Sequence, residues 1–339
     1  MSASTQVKTK PVETEFVTIG ETQLKVSRVA LGTWAMGGWM WGGTDQDESV
    51  ATIHAALEQG INLIDTAPVY GFGVSEEIVG AALEGIRDRA VIATKTGVEW
   101  RDGKVYRNAT RARIMKEVDD SLRRLRTDYI DIYQVHWPDP LVPVEETAEA
   151  MRSLYEQGKI RAIGVSNFSV AQMAQFRHVA PLHVLQAPYN LFERAIDAEI
   201  LPYCRANAIT TFGYGALCRG LLSGRIKSDT RFDGDDLRRI DPKFQPPRLA
   251  QYLEAVKQLD SFAQHRFHRR VIQLAVRWML DQGLSVALWG GRHPDQVQAA
   301  LGVAGWFLNA AQREVIDRIV NTAIPDPVGP EFMAPPPRS

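Results

Sequence analysis

Eight short apolar runs recur along the chain, separated in large part by segments with helical spacing, and this alternation restricts the fold more than any other feature. The runs are RVALGT (28–33), INLIDTA (61–67), AVIATK (90–95), YIDIYQVH (129–136), IRAIGVS (160–166), HVLQAPY (183–189), ITTFGYG (209–215) and SVALWG (285–290). Between two of them, DESVATIHAALEQG places Val50, Ile53, Ala56 and Leu57 on one helical face, with Gly60 where a C-terminal cap would sit. TRARIMKEVDDSLRRLR does the same with Ile114, Val118, Leu122 and Leu125. PVEETAEAMRSLYEQGK opens on a proline and glutamates and closes on Gly158-Lys159, the polarity expected of helix ends. Strand-then-helix units predict a parallel sheet. Eight of them without a second block of composition favour a closed (β/α)8 TIM barrel of the α/β class, with an open doubly wound sheet as the alternative.

Three segments stand outside this rhythm. A polar arm over 1–15 precedes FVTIGETQLKV, which predicts a small N-terminal β-hairpin at the head of a barrel expected over 16–321. After the seventh run, residues 223–248 form a long charged stretch rich in proline and aspartate, the kind of loop that is functional or mobile in a compact domain. The last segment, TAIPDPVGPEFMAPPPRS (322–339), holds six prolines, so it is expected to wrap the surface or lie against a neighbour.

Charge narrows the partners. Lys and Arg number 39 against 40 Asp and Glu, so there is no bulk attraction to nucleic acid or to an anionic membrane. Cys204 and Cys218 make neither a disulfide framework nor a zinc-site spacing, and no metal site is expected. The N-terminus lacks the apolar centre of a signal peptide, and no apolar run approaches the roughly 20 residues of a membrane helix. The expectation is a cytoplasmic protein; the oligomeric state stays open, a homo-oligomer included.

In a barrel, reactive groups come from the C-terminal ends of strands. The second run ends in Asp65 with Tyr70 beyond it, the third in Lys95 and the fourth in His136. Singly, each has a structural reading: an Asx turn in DTAP, a lysine leaving the sheet, a satisfied histidine. Their occurrence on three consecutive strand ends, about 4.8 Å apart if paired, points to one site. A tyrosine has an ordinary pKa near 10, which a neighbouring ammonium lowers. Lys95 is placed for that, Asp65 would hold Lys95, and His136 would bond a substrate oxygen. Such a set suits protonation of an oxygen as a carbonyl is reduced. A Schiff base on Lys95 is the competing chemistry, disfavoured by the adjacent acid.

Carbonyl reduction needs a hydride from a cofactor. Neither GFGVSE nor GYGALC completes the dinucleotide fingerprint G-x-G-x-x-G. Other candidate phosphate sites are GYGALCRGLLSG (213–224) after the seventh run and GGRHPDQ (290–296) after the eighth, where barrels often bind phosphate.

Taken together, NLIDTAPVYG, VIATKTG, DIYQVHWPD, IRAIGVSNFS, LQAPYN and YGALCRGLLSG resemble the aldo-keto reductase superfamily over about residues 16–320. The long charged loop and the proline-rich tail look like bacterial NADPH-dependent reductases of sugars, polyols and aldehydes. The resemblance implies a barrel binding NADP(H) without a Rossmann fold and a catalytic tetrad at Asp65, Tyr70, Lys95 and His136. It implies carboxamide contacts at Ser166, Asn167 and Gln186, and ring stacking by Tyr214. Gly215, Leu217, Arg219 and Gly220 would surround the pyrophosphate. Gly32, Thr33 and Trp34, with Asp65, would border the nicotinamide. Gly290, Gly291, Arg292 and Gln296 would face the adenosine 2′-phosphate. Trp34, Trp39, Trp41 and Trp137, with Tyr70 and His136, would line the substrate pocket, and Asp139 is a candidate partner for a polyol. Ala299 and Ala300 replace an acid and an asparagine of many relatives; Gly290 replaces a lysine of some, and Gly215-Ala216 the usual Ser-Pro. The implied substrate is a small carbonyl compound, or a polyol in the reverse direction. A cofactor-binding regulatory protein of the same fold is the alternative, opposed by the intact tetrad.

Overall fold

The computed structural model describes residues 14–338; residues 1–13 of the expected arm lie outside the described residues. An antiparallel hairpin comes first, β1 (Phe16–Thr18) and β2 (Lys25–Ser27). The chain continues through β3 (Val29–Gly32), α1 (Gln46–Glu58), β4 (Leu63–Asp65), α2 (Val74–Ala82) and β5 (Val91–Thr96). A second hairpin, β6 (Val98–Arg101) and β7 (Lys104–Arg107), interrupts the alternation before α3 (Arg111–Leu125). Then follow β8 (Ile130–Val135), α4 (Val144–Glu156), β9 (Ile160–Ser166), α5 (Val170–Arg177), β10 (Val184–Pro188), α6 (Ile200–Ala206) and β11 (Thr210–Tyr214). Two long helices, α7 (Arg248–Phe267) and α8 (Val271–Asp281), precede β12 (Val286–Gly290), α9 (Pro294–Gln298) and α10 (Ala310–Ala323).

The eight strands β3, β4, β5, β8, β9, β10, β11 and β12 close into a parallel barrel in that order, which decides against the open sheet. Inside, every strand contributes apolar side chains: Ala30, Leu63, Ala93, Ile132, Ala162, Val184, Phe212 and the pair Val286 and Leu288. Small residues opposite large ones let so narrow a tube fill. Ile19 and Val26 of the first hairpin join this cluster and close the bottom. A larger apolar layer lies between the strands and the helices. Both faces of each strand are therefore covered, which is why the strand sequences read as continuous apolar runs.

Helix ends follow local chemistry. Asp45 accepts the amide of Glu48 at the start of α1, and Thr110 that of Arg113 at the start of α3. Ser169 with Gln172, and Asn309 with Gln312, form reciprocal capping boxes. The hairpin β6–β7 was not expected. Its turn, Asp102-Gly103, has both φ angles positive (51° and 74°), the signature of a two-residue hairpin that Asp-Gly favours. Among the described residues no helix is long and apolar enough to cross a membrane.

The loops after β3 and β4 meet where Tyr70 is set. A Cβ on Gly37 would lie 2.5 Å from the Tyr70 carbonyl carbon, and one on Gly71 would lie 2.7 Å from that of Gly37. Gly71 also has φ +66°. This backbone contact fixes the approach of Tyr70 to the barrel mouth. Gly37→Ala should destabilise the fold by about 1–3 kcal/mol, the range for overpacking, seen as a lower Tm. An unchanged Tm would mean that the two loops can part freely.

Candidate active site

The register of three neighbouring strands brings the strand-end residues together. Asp65 pairs with Gly32 on one side and Ala93 on the other, and Lys95 pairs with Gln134 on β8, one residue short of the strand end before His136. Lys95 is fully buried. Its Nζ donates to Asp65 Oδ2 at 2.7 Å, to the Thr66 carbonyl at 2.8 Å and to Tyr70 Oη at 3.2 Å. All three protons of the ammonium are thereby used. The His136 ring stands edge-on to Tyr70, with centroids 5.8 Å apart.

A second set of groups holds these in place. The other oxygen of Asp65 accepts from Gln186 at 2.8 Å, and Gln134 lies at 3.4 Å from it. The Thr33 hydroxyl donates to the Asp65 carbonyl and meets the Ser75 hydroxyl, which in turn meets that of Thr66. Buried Glu76 accepts from Thr94, beside Lys95, and from Arg124. Gln134, Ser75, Glu76 and Thr94 were not singled out in the sequence. The polar residue in the otherwise apolar run YIDIYQVH was the available signal for Gln134.

Burial dominates the electrostatics. It lowers the Lys95 ammonium below its usual range, while Asp65 opposes that shift. It raises the Tyr70 phenol well above its usual value, and the Asp65 charge adds to the rise. The expectation that Lys95 leaves the phenol with a depressed pKa is therefore reversed: a desolvated phenolate next to a carboxylate is disfavoured more than the ammonium favours it. His136 is pushed well below its usual value by burial and then by Lys95, so its ring is neutral.

Two cavities open at this point. A groove of about 350 Å³ is lined by Gly32, Asp65, Tyr70 and Tyr214 at the barrel mouth, by Gly215, Leu217, Arg219 and Gly220 after β11, and by Gly290, Gly291, Arg292 and Gln296 after β12. Trp34 borders both this groove and a neighbouring pocket of about 190 Å³. That pocket receives Tyr70, His136, Trp39, Trp137, Ser166, Asn167 and Gln186. Trp41, expected in the pocket, lies on the groove wall instead. Its loop is pinned there by Asp235, which accepts from Met40 N and Gly42 N, and by Arg292, which donates to the Trp41 and Gly43 carbonyls. Thr33 lines neither cavity, because its hydroxyl is turned into the Asp65–Ser75 contact.

Asn167 has φ +63° and bonds the His136 carbonyl, the Ser166 hydroxyl and the Tyr214 phenol. The Arg219 guanidinium is committed to Glu193 and Asp241, so this residue offers the groove mainly its backbone. Asp139 accepts from Ala109 N and Leu141 N and pairs with Arg338, which turns it away from the pocket.

Removing one partner of a buried pair strands the other charge. Lys95→Met should cost about 3–5 kcal/mol in denaturant unfolding, and Asp65→Leu combined with Lys95→Met should recover much of that loss. A double variant as unstable as the single one would show that the pair does not account for the cost.

The pattern described as the Aldo/keto reductase family matches residues 28–321. The chain is 59% identical over 327 residues to the aldo-keto reductase YhdN of Bacillus subtilis (strain 168), covering 96% of this chain and 99% of the relative. It is 37% identical over 307 residues to the NADH-specific methylglyoxal reductase of Escherichia coli (strain K12), covering 85% and 93%. The structure of the glycerol dehydrogenase AKR11B4 from Gluconobacter oxydans aligns with TM-score 0.86 and 52% identity over 94% of this chain and 99% of that one. An aldo/keto reductase from Klebsiella pneumoniae in complex with NADP and acetate aligns with TM-score 0.70 and 28% identity over 96% and 97%. With a family match across most of its length and relatives of this identity, the chain belongs to the aldo/keto reductase family of oxidoreductases.

Proposed function

We propose that this protein is an NADPH-dependent reductase of aldehydes and ketones, with Tyr70 as the group that protonates the carbonyl oxygen. The observation that carries this reading is the Lys95–Asp65–Tyr70 cluster at the junction of a long groove and a small pocket.

The groove's residues suit a nicotinamide dinucleotide. Tyr214, whose phenol donates to Asn167, offers an aromatic face near the tetrad, while Gln186 offers its amide oxygen and Ser166 a hydroxyl. The glycines at 215, 220, 290 and 291 keep the backbone accessible, and an added Cβ on Gly290 would meet nothing within 4 Å. Trp41 Nε1, buried without a partner on the groove wall, is a spare donor. Arg292 at the far end supplies a cation for the extra phosphate of NADPH. The Escherichia coli relative is described as NADH-specific. The Klebsiella structure was obtained with NADP. Arg292 is the reason to place this chain with the latter.

When bound, the nicotinamide supplies the hydride. The chain's own residues do the rest. Tyr70 stays protonated at neutral pH and so holds the proton the carbonyl oxygen needs. Lys95 keeps the phenol oxygen in place through its 3.2 Å bond and spreads the charge left as the proton moves. Asp65, itself held by Gln186, keeps Lys95 charged and fixed. His136, neutral, can donate to the same substrate oxygen.

Tyr70→Phe should lower kcat for aldehyde reduction by about a hundredfold or more, while the Kd for NADPH from fluorescence titration stays within about threefold of the parent. Normal turnover in that variant would end the proposal. Arg292→Ala should weaken NADPH binding far more than NADH binding in the same titration. The pH dependence follows from the directions of the shifts. With Tyr70 raised and His136 lowered, neither titrates between about pH 6 and 8, so kcat for reduction should be flat there. Loss should begin on the alkaline side, where Lys95 gives up its proton first. A limb near pH 6.5 would show that His136 titrates as an ordinary histidine.

A further inference from the structure

Behind the strand that carries Lys95 lies a second buried carboxylate, outside both cavities. Along β5, Ala93 packs into the barrel interior and Ile92 into the layer under the helices. Side chains alternate along a strand, so Lys95 shares the inner face with Ala93, and Thr94 points outward. There Thr94 donates to Glu76 Oε1 at 2.6 Å, and Arg124 Nε donates to Glu76 Oε2 at 2.6 Å. Glu76 has no solvent access. Asp65 thus meets the Lys95 ammonium from inside the barrel, while Glu76 stands on the other side of the same strand. The residue before it, Ser75, meets the Thr66 hydroxyl at 2.9 Å, and the Thr66 carbonyl takes one of the Lys95 protons.

The immediate partners of Glu76 do not by themselves call for an acid. Arg124 also donates to Glu117 at 3.0 Å and to the Ser121 hydroxyl at 3.3 Å, and Glu117 pairs with Arg113 as well. A carboxamide oxygen would accept the Thr94 hydroxyl equally well. What a carboxylate adds is charge, which is expensive to bury unless another charge uses it. The groups around this strand are Asp65, Tyr70 and His136 on the inner side, and Arg124, Glu117, Arg113 and Tyr133 on the outer. His136 and Tyr133 are neutral, because burial pushes the imidazole down and the phenol up. Arg124 sits on the Glu76 oxygen that Thr94 does not bond, so at Lys95 the acid is the nearer of the two charges. Burial pulls the Lys95 ammonium down; Asp65 opposes this first, and Glu76 acts in the same sense through the strand.

We propose that Glu76 is a positioning residue for the reaction: from behind β5 its charge keeps the Lys95 ammonium in place beside Tyr70, and so sets where turnover fails on the alkaline side. The proposal rests on the carbonyl-reductase reading above and goes further by giving a role to a residue that touches neither substrate nor the reacting atoms. Glu76 acts through Lys95 alone. Its hydrogen bonds brace α2 against β5 and α3, and its charge does the rest.

The test is the pH profile of kcat for glyceraldehyde reduction with NADPH, from about pH 7 to 10, in the parent, Glu76→Gln, Glu76→Asp and Thr94→Val. Glu76→Gln keeps the size and the bond to Thr94 but removes the charge. Its alkaline limb should move to lower pH by at least about 0.5, against the roughly 1–3 expected of an opposite charge in direct contact. Glu76→Asp keeps the charge with a shorter reach, and Thr94→Val keeps it while losing the bond. Both should hold the parent limb to within about 0.2 of a pH unit, whatever they do to Tm. A purely structural brace would lower Tm or kcat in all three variants and leave every limb in place, and that result overturns the role. A limb that falls as far in Thr94→Val as in Glu76→Gln overturns it too, because the bond and not the charge would then be responsible. Should Glu76→Gln not fold, Glu76→Gln combined with Arg124→Gln removes both members of the ion pair while Glu117 keeps Arg113. The limb must fall there as well, and an unmoved limb overturns the proposal. A parent that binds NADPH but reduces no glyceraldehyde overturns the reductase reading and this inference with it; an active parent with an unmoved limb in Glu76→Gln overturns this inference alone.

Discussion

The ion pair between Lys95 and Asp65 is the constraint around which the barrel mouth is arranged. A lysine with no solvent access forfeits hydration worth several kcal/mol, and only near-complete replacement of water by fixed partners allows it to stay charged. Here three acceptors take its three protons, one of them being the tyrosine that the site presents to the pocket. The carboxylate faces the same difficulty and meets it with the amide of Gln186, backed by Gln134. Half-satisfied, such a network would be worse than an apolar core; satisfied, it has one geometry. Strand pairing supplies the register, and the ion pair in turn fixes the side chains at the strand ends.

That fixing propagates outward through buried hydroxyls and one buried carboxylate. Thr33, Ser75 and Thr66 join the ends of β3 and β4 to the start of α2 by hydroxyl contacts. Glu76, one residue further on α2, reaches Thr94 on β5 and Arg124 on α3. Two adjacent residues of one helix thus brace the strands that carry Asp65 and Lys95. The contact between Gly37 and Gly71 does the same for Tyr70 by backbone alone. On the proposed reading of Tyr70 as proton donor, a phenol placed in this way would need little reorganisation when its oxygen becomes charged, the property electrostatic catalysis depends on.

The features most legible in the sequence are those set by periodicity and chain order. The closed parallel barrel followed from eight strand-then-helix units, and the convergence of Asp65, Lys95 and His136 followed from their places at the ends of consecutive strands. Pairwise tertiary contacts were not legible. The DG turn of the second hairpin was in plain view, but hairpin strands of four residues leave little alternation to read. Trp41 looked like a pocket aromatic because it follows β3, yet its position depends on Asp235 and Arg292, about 190 and 250 residues away in sequence. Tyr70 was read from the lysine beside it, whereas burial, which a sequence does not display, decides the direction of its pKa.

Buried charge also explains how segments outside the barrel frame come to shape both cavities. Arg219 and Lys243 meet Glu193, and Arg219 meets Asp241, so two cations and two carboxylates compensate one another with almost no solvent contact. These residues belong to three separate segments: the loop after β10, the loop after β11 and the long charged insertion. From the same cluster, Lys243 reaches the Gly329 carbonyl and Arg219 lies under the ring of Phe332. The loop that lines the groove and the tail that walls the pocket are thus tied to one network. An insertion rich in charge is often a solvated or mobile lid, but here part of that charge is turned inward and used as a tether. Replacing the tether by apolar residues could keep the segments packed, but it would lose the directional bonds that set where each one ends. That directional information sets the shape of both cavities beside Lys95, Asp65 and Tyr70.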